Sequence, residues 1–223
     1  MNIVAIIQAR MGSSRLPGKI LKEINGKSLI SILIDRISMS KYLNKIVIAT
    51  TNSKLDDQFV KWVSLNLNIS IFRGQENDVL DRYYQCAKLY KADVIVRITA
   101  DDPLKDAIII DKAISLLKQN PKLDYCSNTI EPTYPEGLDV EVFKFEALYK
   151  AWHFSTLPSE REHVTPYIWK NQKQFSLKNF EYKDNLSDWR WTVDRNEDLC
   201  FVKEIFKNFS TDFLINYEEI IKF

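Results

Sequence analysis

The chain opens with the stretch IVAIIQARMGSSRLPGK, residues 3–19, and this stretch decides the fold. Its five leading apolar residues predict a buried strand. The rest holds two glycines, two serines, two arginines, a proline and a lysine. Glycines let backbone amides approach a phosphate, serines donate hydroxyl groups, and the cations supply charge. The pattern predicts a strand that ends in a polyanion-binding loop, and the alternative is a basic surface loop after an edge strand.

Two common nucleotide-binding motifs are absent from this stretch. Gly12 and Gly18 enclose five residues where the P-loop pattern has four, and Ile20 stands where that pattern needs Ser or Thr. The glycine triplet of a dinucleotide-binding fold is missing as well. The loop therefore requires another explanation.

Composition narrows the class of protein. A length of 223 residues predicts a single domain. Because 31 Lys and Arg nearly balance 30 Asp and Glu, the chain has no overall positive charge that would attract nucleic acid or an anionic membrane. Cys86, Cys126 and Cys200 are widely spaced, so we expect three buried, reduced thiols. No apolar run approaches the length of a membrane span. We expect a cytoplasmic protein with neither nucleic acid nor membrane as partner.

Strand and helix patterns alternate through the first half of the chain. Ser28 can cap a helix that runs to about Ser40, and residues 45–50 form a second strand pattern. Ser53 opens another helix, residues 69–72 form a short strand, and a helix begins at Asn77 or Asp78. This alternation predicts an α/β fold with a mostly parallel twisted sheet flanked by helices. Ligands of such sheets bind at the carboxyl ends of the strands, where residues 9–19 would lie.

A second informative stretch is DVIVRITADDPL, residues 93–104. A strongly apolar strand ends on Asp101 and Asp102, and Pro103 turns the chain. Carboxylates at a strand end can hold Mg²⁺, which needs only one or two protein oxygens beside substrate phosphates. The alternative is an Asp-Pro turn with capping carboxylates.

Beyond residue 130 the alternation weakens. The segment 131–136 marks a change from a nucleotide-binding half, 1–130, to an acceptor-binding half, 131–223, in which we expect a smaller antiparallel region. From Leu138 the polarity alternates, which predicts a strand with Asp139 and Glu141 on one face, either solvent-exposed or functional. Arg161 and His163 could bind an anionic acceptor.

The opening loop resembles the signature A-R-x-x-S-x-R-L-P-G-K of the cytidylyltransferases that activate sugar acids. Ala9-Arg10, Ser13 and the run 15–19 match it. The resemblance extends over nearly the whole chain to the branch named for the spore-coat polysaccharide protein SpsF. It implies a nucleotide-diphospho-sugar-transferase fold of the GT-A-like, Rossmann-like type.

The resemblance also implies roles for individual residues. The family's G-D-x-P maps onto residues 100–103, with Ala100 in place of Gly, which makes Asp101 a metal ligand and leaves Asp102 secondary. A D-T-x-E-D-L pattern maps its Asp onto Asp194, the second metal ligand. The implied catalytic residues are Arg10, Arg15, Lys19 and Asp101. The implied nucleotide contacts are Gln8, Ala9, Arg10, Gly12, Ser13, Ser14, Arg15, Lys19, Arg73, Gly74, Arg82, Thr99, Ala100 and Asp101. The implied acceptor contacts are Asp139, Glu141, Arg161 and His163.

These residues predict a nucleotidyltransferase that depends on Mg²⁺. The resemblance implies that it moves CMP from CTP to an anionic sugar or small phosphorylated acceptor, releases pyrophosphate, serves surface polysaccharide or capsule synthesis, and forms a homodimer. The alternatives are a glycosyltransferase that uses a nucleotide sugar and a nucleotide-binding subunit without turnover. Neither the acceptor nor the choice between a CMP-linked and a CDP-linked product follows from the sequence.

Overall fold

The computed structural model describes residues 1–209 and 213–223, so residues 210–212 of the predicted acceptor-binding half lie outside the described residues. Its strands are β1 (Ile3–Gln8), β2 (Glu23–Ile24), β3 (Lys27–Ser28), β4 (Lys45–Thr51), β5 (Ser70–Gly74), β6 (Val94–Thr99), β7 (Tyr125–Ser127), β8 (Glu141–Lys144) and β9 (Leu177–Asn179). Its helices are α1 (Leu29–Ser38), α2 (Asp57–Asn66), α3 (Val79–Leu89), α4 (Ala107–Gln119), α5 (Phe145–Phe154), α6 (Pro158–His163), α7 (Pro166–Lys170), α8 (Asn196–Asn208) and α9 (Tyr217–Lys222). Two short 3₁₀ helices cover Lys19–Leu21 and Lys54–Asp56.

Among the described residues, one sheet of seven strands has the order β5-β4-β1-β6-β8-β7-β9. β1 pairs in parallel with β4 and β6, and β4 pairs in parallel with β5. β8 runs antiparallel between β6 and β7, while β2 and β3 form a separate antiparallel pair. The predicted fold class, α/β with a mostly parallel sheet, is confirmed. A small two-stranded sheet lies in the first half of the chain.

The predicted helix starts follow from their capping side chains. Ser28 accepts a hydrogen bond from the Ser31 amide at the start of α1, and Asp78 accepts one from the Asp81 amide at the start of α3. Asp106 caps α4 through the Ile108 amide. Alternate residues of β1 pack on the two faces of the sheet, with Ile3, Ala5 and Ile7 on one face and Val4 and Ile6 on the other. None of the helices within the described ranges is long and apolar enough to cross a membrane.

Two local predictions are wrong. The strand expected from Leu138 begins only at Glu141. Cys200 is exposed, whereas Cys86 and Cys126 are buried as expected. Trp189 is also exposed while Trp191 is buried, and only an isolated bridge between Glu136 and Arg190 marks that region as extended. The polarity around Trp189 and Trp191 alternates as in a strand, but among the described residues this region forms an isolated bridge rather than a ladder.

Gly137 packs closely against the backbone of residues 191–192, just before Asp194. Its φ is +106°, and a Cβ atom there would lie 2.9 Å from both the Thr192 nitrogen and the Trp191 carbonyl carbon. Positive φ favours glycine, and backbone atoms cannot move aside cheaply. We expect Gly137→Ala to lower the free energy of unfolding by about 3 kcal/mol, measured by urea denaturation.

Gly26→Ala is the matched control for this prediction. Gly26 has φ of +77° with nothing within 4 Å of its Cβ position, so it carries the backbone strain without the crowding. We expect that control to lose only about 1 kcal/mol. Equal losses in the two variants would show that the contact of Gly137 with residues 191–192 contributes nothing.

Candidate active site

A pocket of about 230 Å³ lies at the carboxyl ends of β1 and β6. Its lining includes eleven of the predicted nucleotide-binding residues together with the predicted second metal ligand. The lining residues are Gln8, Ala9, Arg10, Gly12, Ser13, Ser14, Arg15, Lys19, Ile20, Thr99, Ala100, Asp101 and Asp194. The parallel pairing of β1 and β6 brings Gln8 and Thr99 to one edge of the sheet, and the Val193 amide, which donates to the Asp101 carbonyl, holds the Asp194 segment beside them.

The loop after β1 is held by backbone contacts and by buried anchors. The Met11 amide donates to the Asp56 carboxylate at 2.7 Å, and the Ser13 amide donates to the Met11 carbonyl at 2.8 Å. Leu16 and Ile20 are buried beneath the loop. Burial of these two side chains fixes the segment that carries Arg15 and Lys19, both of which line the pocket.

Lys19 lies between the two predicted metal ligands. Its Nζ is 2.8 Å from an Asp101 carboxylate oxygen and 2.8 Å from an Asp194 carboxylate oxygen. Burial alone would lower the pKa of Lys19, but the two carboxylates outweigh it and raise that pKa. Only 11% of the Lys19 side chain is exposed. The ammonium therefore holds two carboxylates from distant parts of the chain together.

Asp194 has two further cationic partners. Arg15 Nη2 lies 2.8 Å from one of its oxygens, and Arg190 Nη2 lies 2.7 Å from the same oxygen. Burial would raise the pKa of Asp194, yet its bonds to Lys19, Arg15 and Arg190 lower it. Sequence reasoning missed Arg190, which also pairs with Glu136. The four-residue spacing of Arg190 and Asp194 was the available signal.

The two aspartates after β6 have different environments. Asp102 is buried, accepts a hydrogen bond from Thr99 Oγ1 at 2.6 Å and pairs with the buried Lys105 ammonium at 2.9 Å. Asp101 instead lines the pocket and contacts Lys19. The geometry thus separates a carboxylate that supports the turn from one that faces the ligand space.

The residues present fit a divalent cation. Asp101 and Asp194 already share one cation, the Lys19 ammonium, so their carboxylates lie close enough to share another. Mg²⁺ takes one or two carboxylates together with phosphate oxygens and water. Within the described ranges, no group of three or more His, Cys, Asp or Glu side chains could hold a metal ion. Two acids beside a phosphate-binding loop suit a cation that arrives with a nucleotide.

A second cleft of about 460 Å³ adjoins the pocket and shares Gln8 and Arg10 with it. Its other lining residues are Glu76, Asn77, Asp78, Val79, Thr156, Pro158, Arg161 and Glu162. Arg161 pairs with Asp78 across the cleft and donates to the Trp152 carbonyl at 2.7 Å. His163 is exposed at the end of α6 and lies outside the linings of both pocket and cleft.

Residues 4–223 match the protein family described as cytidylyltransferase. The chain belongs to the cytidylyltransferase family. It is 31% identical over 214 residues to the spore coat polysaccharide biosynthesis protein SpsF of Bacillus subtilis, covering 92% of this chain and 87% of the relative. It is 32% identical over 172 residues to a 3-deoxy-manno-octulosonate cytidylyltransferase of Chlamydia trachomatis, covering 73% and 66%.

A solved structure supports the same family at the level of the whole fold. The cytidylyltransferase of Leptospira borgpetersenii superposes with a TM-score of 0.94 at 34% identity, covering all of this chain and 93% of that one. The predicted resemblance is therefore confirmed, and the chain is an enzyme of the cytidylyltransferase class.

In this cytidylyltransferase three of the implied nucleotide contacts, Arg73, Gly74 and Arg82, lie at the end of β5 or on the helix that follows it. Arg73 donates to the Thr51 carbonyl at 2.8 Å and pairs with Asp57 at 2.7 Å. Arg82 is only 1% exposed and donates to the Gln75 carbonyl at 2.8 Å, and burial lowers its pKa. A Cβ atom on Gly74 would lie 3.0 Å from Arg82 Cγ. None of these three residues is among those that line the pocket or the cleft.

Two predicted acceptor residues of the cytidylyltransferase lie in different surroundings. Glu141 is buried, pairs with Arg97, and accepts hydrogen bonds from Tyr125 at 2.7 Å and from Thr165 at 2.5 Å. These three donors occupy its carboxylate and place it in the interior. Asp139 is half-buried and is not among the residues that line the pocket or the cleft.

Proposed function

We propose that this cytidylyltransferase transfers CMP from CTP to a sugar acid, with Mg²⁺ as cofactor and release of pyrophosphate. One observation carries the proposal: Lys19 of the anion-binding loop contacts both Asp101 and Asp194. Cations for a triphosphate and carboxylates for a metal thus meet in one pocket. The sugar acid is suggested by the Chlamydia relative, whose name specifies 3-deoxy-manno-octulosonate.

Transfer of a nucleotidyl group needs alignment and neutralisation of charge rather than a covalent nucleophile. Arg10, Arg15 and Lys19 surround the space where the triphosphate would lie and would neutralise the charge that grows on pyrophosphate as it leaves. Asp101 and Asp194 would hold Mg²⁺, which supplies positive charge to the phosphate oxygens. The acceptor oxygen attacks the α-phosphorus in line with the departing pyrophosphate.

The two alternative functions fit the observations less well. A glycosyltransferase needs no loop for a triphosphate, and the chain matches the cytidylyltransferase family over residues 4–223. A binding subunit without turnover has no need of cations and carboxylates in one pocket. A role in surface polysaccharide synthesis is suggested by the name of the Bacillus relative. The homodimer and the cytoplasmic location stay predictions.

The nucleotide is tested by thermal denaturation with Mg²⁺ and each nucleoside triphosphate in turn. A ligand that binds the native state raises Tm. At a hundredfold excess over Kd it adds about 2.7 kcal/mol to the free energy of unfolding. We expect the largest rise with CTP. An equal or larger rise with ATP, GTP or UTP would contradict the choice of CTP.

Turnover is tested by release of pyrophosphate from CTP. We expect release with a sugar acid such as 3-deoxy-manno-octulosonate or N-acetylneuraminate, and we expect EDTA to abolish it. Undiminished release in EDTA would contradict the metal. Release only with sugar phosphates would contradict the acceptor class.

A further inference from the structure

Asp139 differs from the other acids near the pocket because its carboxylate forms no ion pair with any of the described residues. The nearby Gly137 amide favours the charged form of that carboxylate and lowers its pKa. Asp101, Asp102 and Asp194 each pair with a Lys or Arg side chain. A half-buried carboxylate without a counter-ion is unfavourable for folding. The Lys105 ammonium acts on Asp139 electrostatically but forms its ion pair with Asp102, so the Asp139 oxygens keep the capacity to accept hydrogen bonds.

The register of the sheet puts Asp139 beside the pocket. β6 and β8 are antiparallel with Arg97 opposite Glu141. Asp139 precedes Glu141 by two residues and Thr99 follows Arg97 by two, so the Asp139 backbone runs on from the end of β8 beside the end of β6. Thr99 lines the pocket. Asp139 thus flanks Thr99 on the side away from β1 and from the phosphate-binding loop.

Two further contacts fix this position. Lys105 Nζ donates to the Asp139 carbonyl at 2.5 Å and to the Asp102 carboxylate at 2.9 Å. The same ammonium thus anchors the Asp139 backbone to the turn that carries Asp101. Gly137 packs against Thr192, and the following Val193 amide donates to the Asp101 carbonyl at 2.8 Å. The segment with Asp139 is therefore attached to both segments that supply the predicted metal ligands.

The charges that face Asp139 make it a stronger base than an ordinary aspartate. Burial raises its pKa from 3.8 to about 6, with the Lys105 ammonium opposing the rise. The Asp102 and Glu141 carboxylates raise that pKa and the Gly137 amide lowers it. At neutral pH the group is ionised and able to accept a proton, which suits a general base.

We propose that Asp139 accepts the proton of the acceptor hydroxyl during nucleotidyl transfer. This inference rests on the proposed function. As the hydroxyl oxygen forms a bond to the α-phosphorus, its proton passes to an Asp139 oxygen. The bond from the α-phosphorus to pyrophosphate breaks, and its electron pair leaves with pyrophosphate. Asp139 then returns the proton to water.

Other acids in the region are less suited to this role. Glu141 has its oxygens occupied by Arg97, Tyr125 and Thr165. Asp102 is neutralised by Lys105 and lies buried beneath Thr99. Asp139 combines partial exposure with a backbone that Lys105 ties to the turn carrying Asp101.

The test compares Asp139→Asn, Asp139→Glu and the wild type by pyrophosphate release from CTP, with 3-deoxy-manno-octulosonate and N-acetylneuraminate as acceptors over a range of pH. Glu131→Gln removes one exposed carboxylate from a nearby loop and serves as the matched control. We expect Asp139→Asn to lower kcat by about 10²-fold or more, with the rise of Tm by CTP unchanged. The wild type should lose kcat/KM as pH falls through about 6. Asp139→Asn should lack that loss, and Asp139→Glu should recover part of kcat.

Stability shows whether the variant is folded. The folded protein binds this proton more tightly than the unfolded chain, so stability falls as pH rises from about 4 to about 6. Asp139→Asn removes the buried charge and should melt no lower than the wild type at neutral pH.

A wild-type kcat in Asp139→Asn would overturn the inference, and so would a change confined to the KM for the acceptor. The inference would also fail if kcat/KM of Asp139→Asn still fell with decreasing pH as it does in the wild type. Release only with sugar phosphates, which need no base, would overturn it too. If CTP neither raises Tm nor releases pyrophosphate with any acceptor, the proposed function itself fails, and the role of Asp139 with it.

Discussion

Lys19→Ala is expected to lower kcat/KM for CTP by about 10²-fold or more. The Lys19 ammonium is the cation that reaches both sides of the pocket, since it contacts Asp101 and Asp194 at 2.8 Å each. Its removal takes a positive charge from the space of the triphosphate. It also leaves Asp101 without its cationic partner. Steady-state kinetics with CTP, followed by release of pyrophosphate, measures the effect.

Lys22→Ala is the control for this experiment. Lys22 follows Lys19 by one helical turn, carries the same charge and does not line the pocket. We expect near-normal activity in this variant. Equal losses in Lys19→Ala and Lys22→Ala would mean that general loss of charge, rather than the pocket contact, causes the defect.

Asp101→Asn is the second change with a large expected effect. The amide keeps the shape of the side chain but removes the charge that would hold Mg²⁺, so kcat should fall by about 10²-fold or more while Tm changes little. Binding of Mn²⁺ in the presence of CTP, measured by calorimetry, should weaken in parallel. Asp101→Asn with normal kcat would remove Asp101 from the predicted metal site.

Asp102→Asn is expected to lower folding stability more than it lowers activity. Asp102 neutralises the buried ammonium of Lys105, so this change leaves a buried charge without its partner. Breaking a buried ion pair costs about 3 kcal/mol or more of folding stability. Below the melting transition, kcat should fall less than in Asp101→Asn. A kinetic defect in Asp102→Asn as large as that of Asp101→Asn would contradict the separate roles of the two carboxylates.

The predicted site residues that the structure brings together in the pocket come mainly from short, continuous stretches of sequence. A strand followed by a loop with several cations, and a strand that ends on two acids, place their side chains at one sheet edge by the topology of parallel strands alone. Arg15, Lys19 and Asp101 meet in the pocket for this reason.

The remainder depends on pairings between distant residues. Arg73 and Glu141 are polar residues in plausible positions, but their partners Asp57, Tyr125 and Thr165 could not be inferred from local pattern. Arg190 was overlooked because the flanking tryptophans dominate its stretch of sequence. Local alternation also overstated the strand at Leu138, which begins only at Glu141, opposite Arg97.

The position of β8 has a consequence for how the chain reaches this fold during synthesis. β8 lies between β6 and β7, although both of those strands precede it in sequence. A nascent chain released only as far as residue 130 can assemble β5, β4, β1 and β6, but the outer edge of β6 stays unpaired and β7 has no strand to join. Unpaired strand edges attract other chains. The edge of β6 is therefore covered only after residues 141–144 have been synthesised. A fragment that ends at residue 130 would leave this edge unpaired.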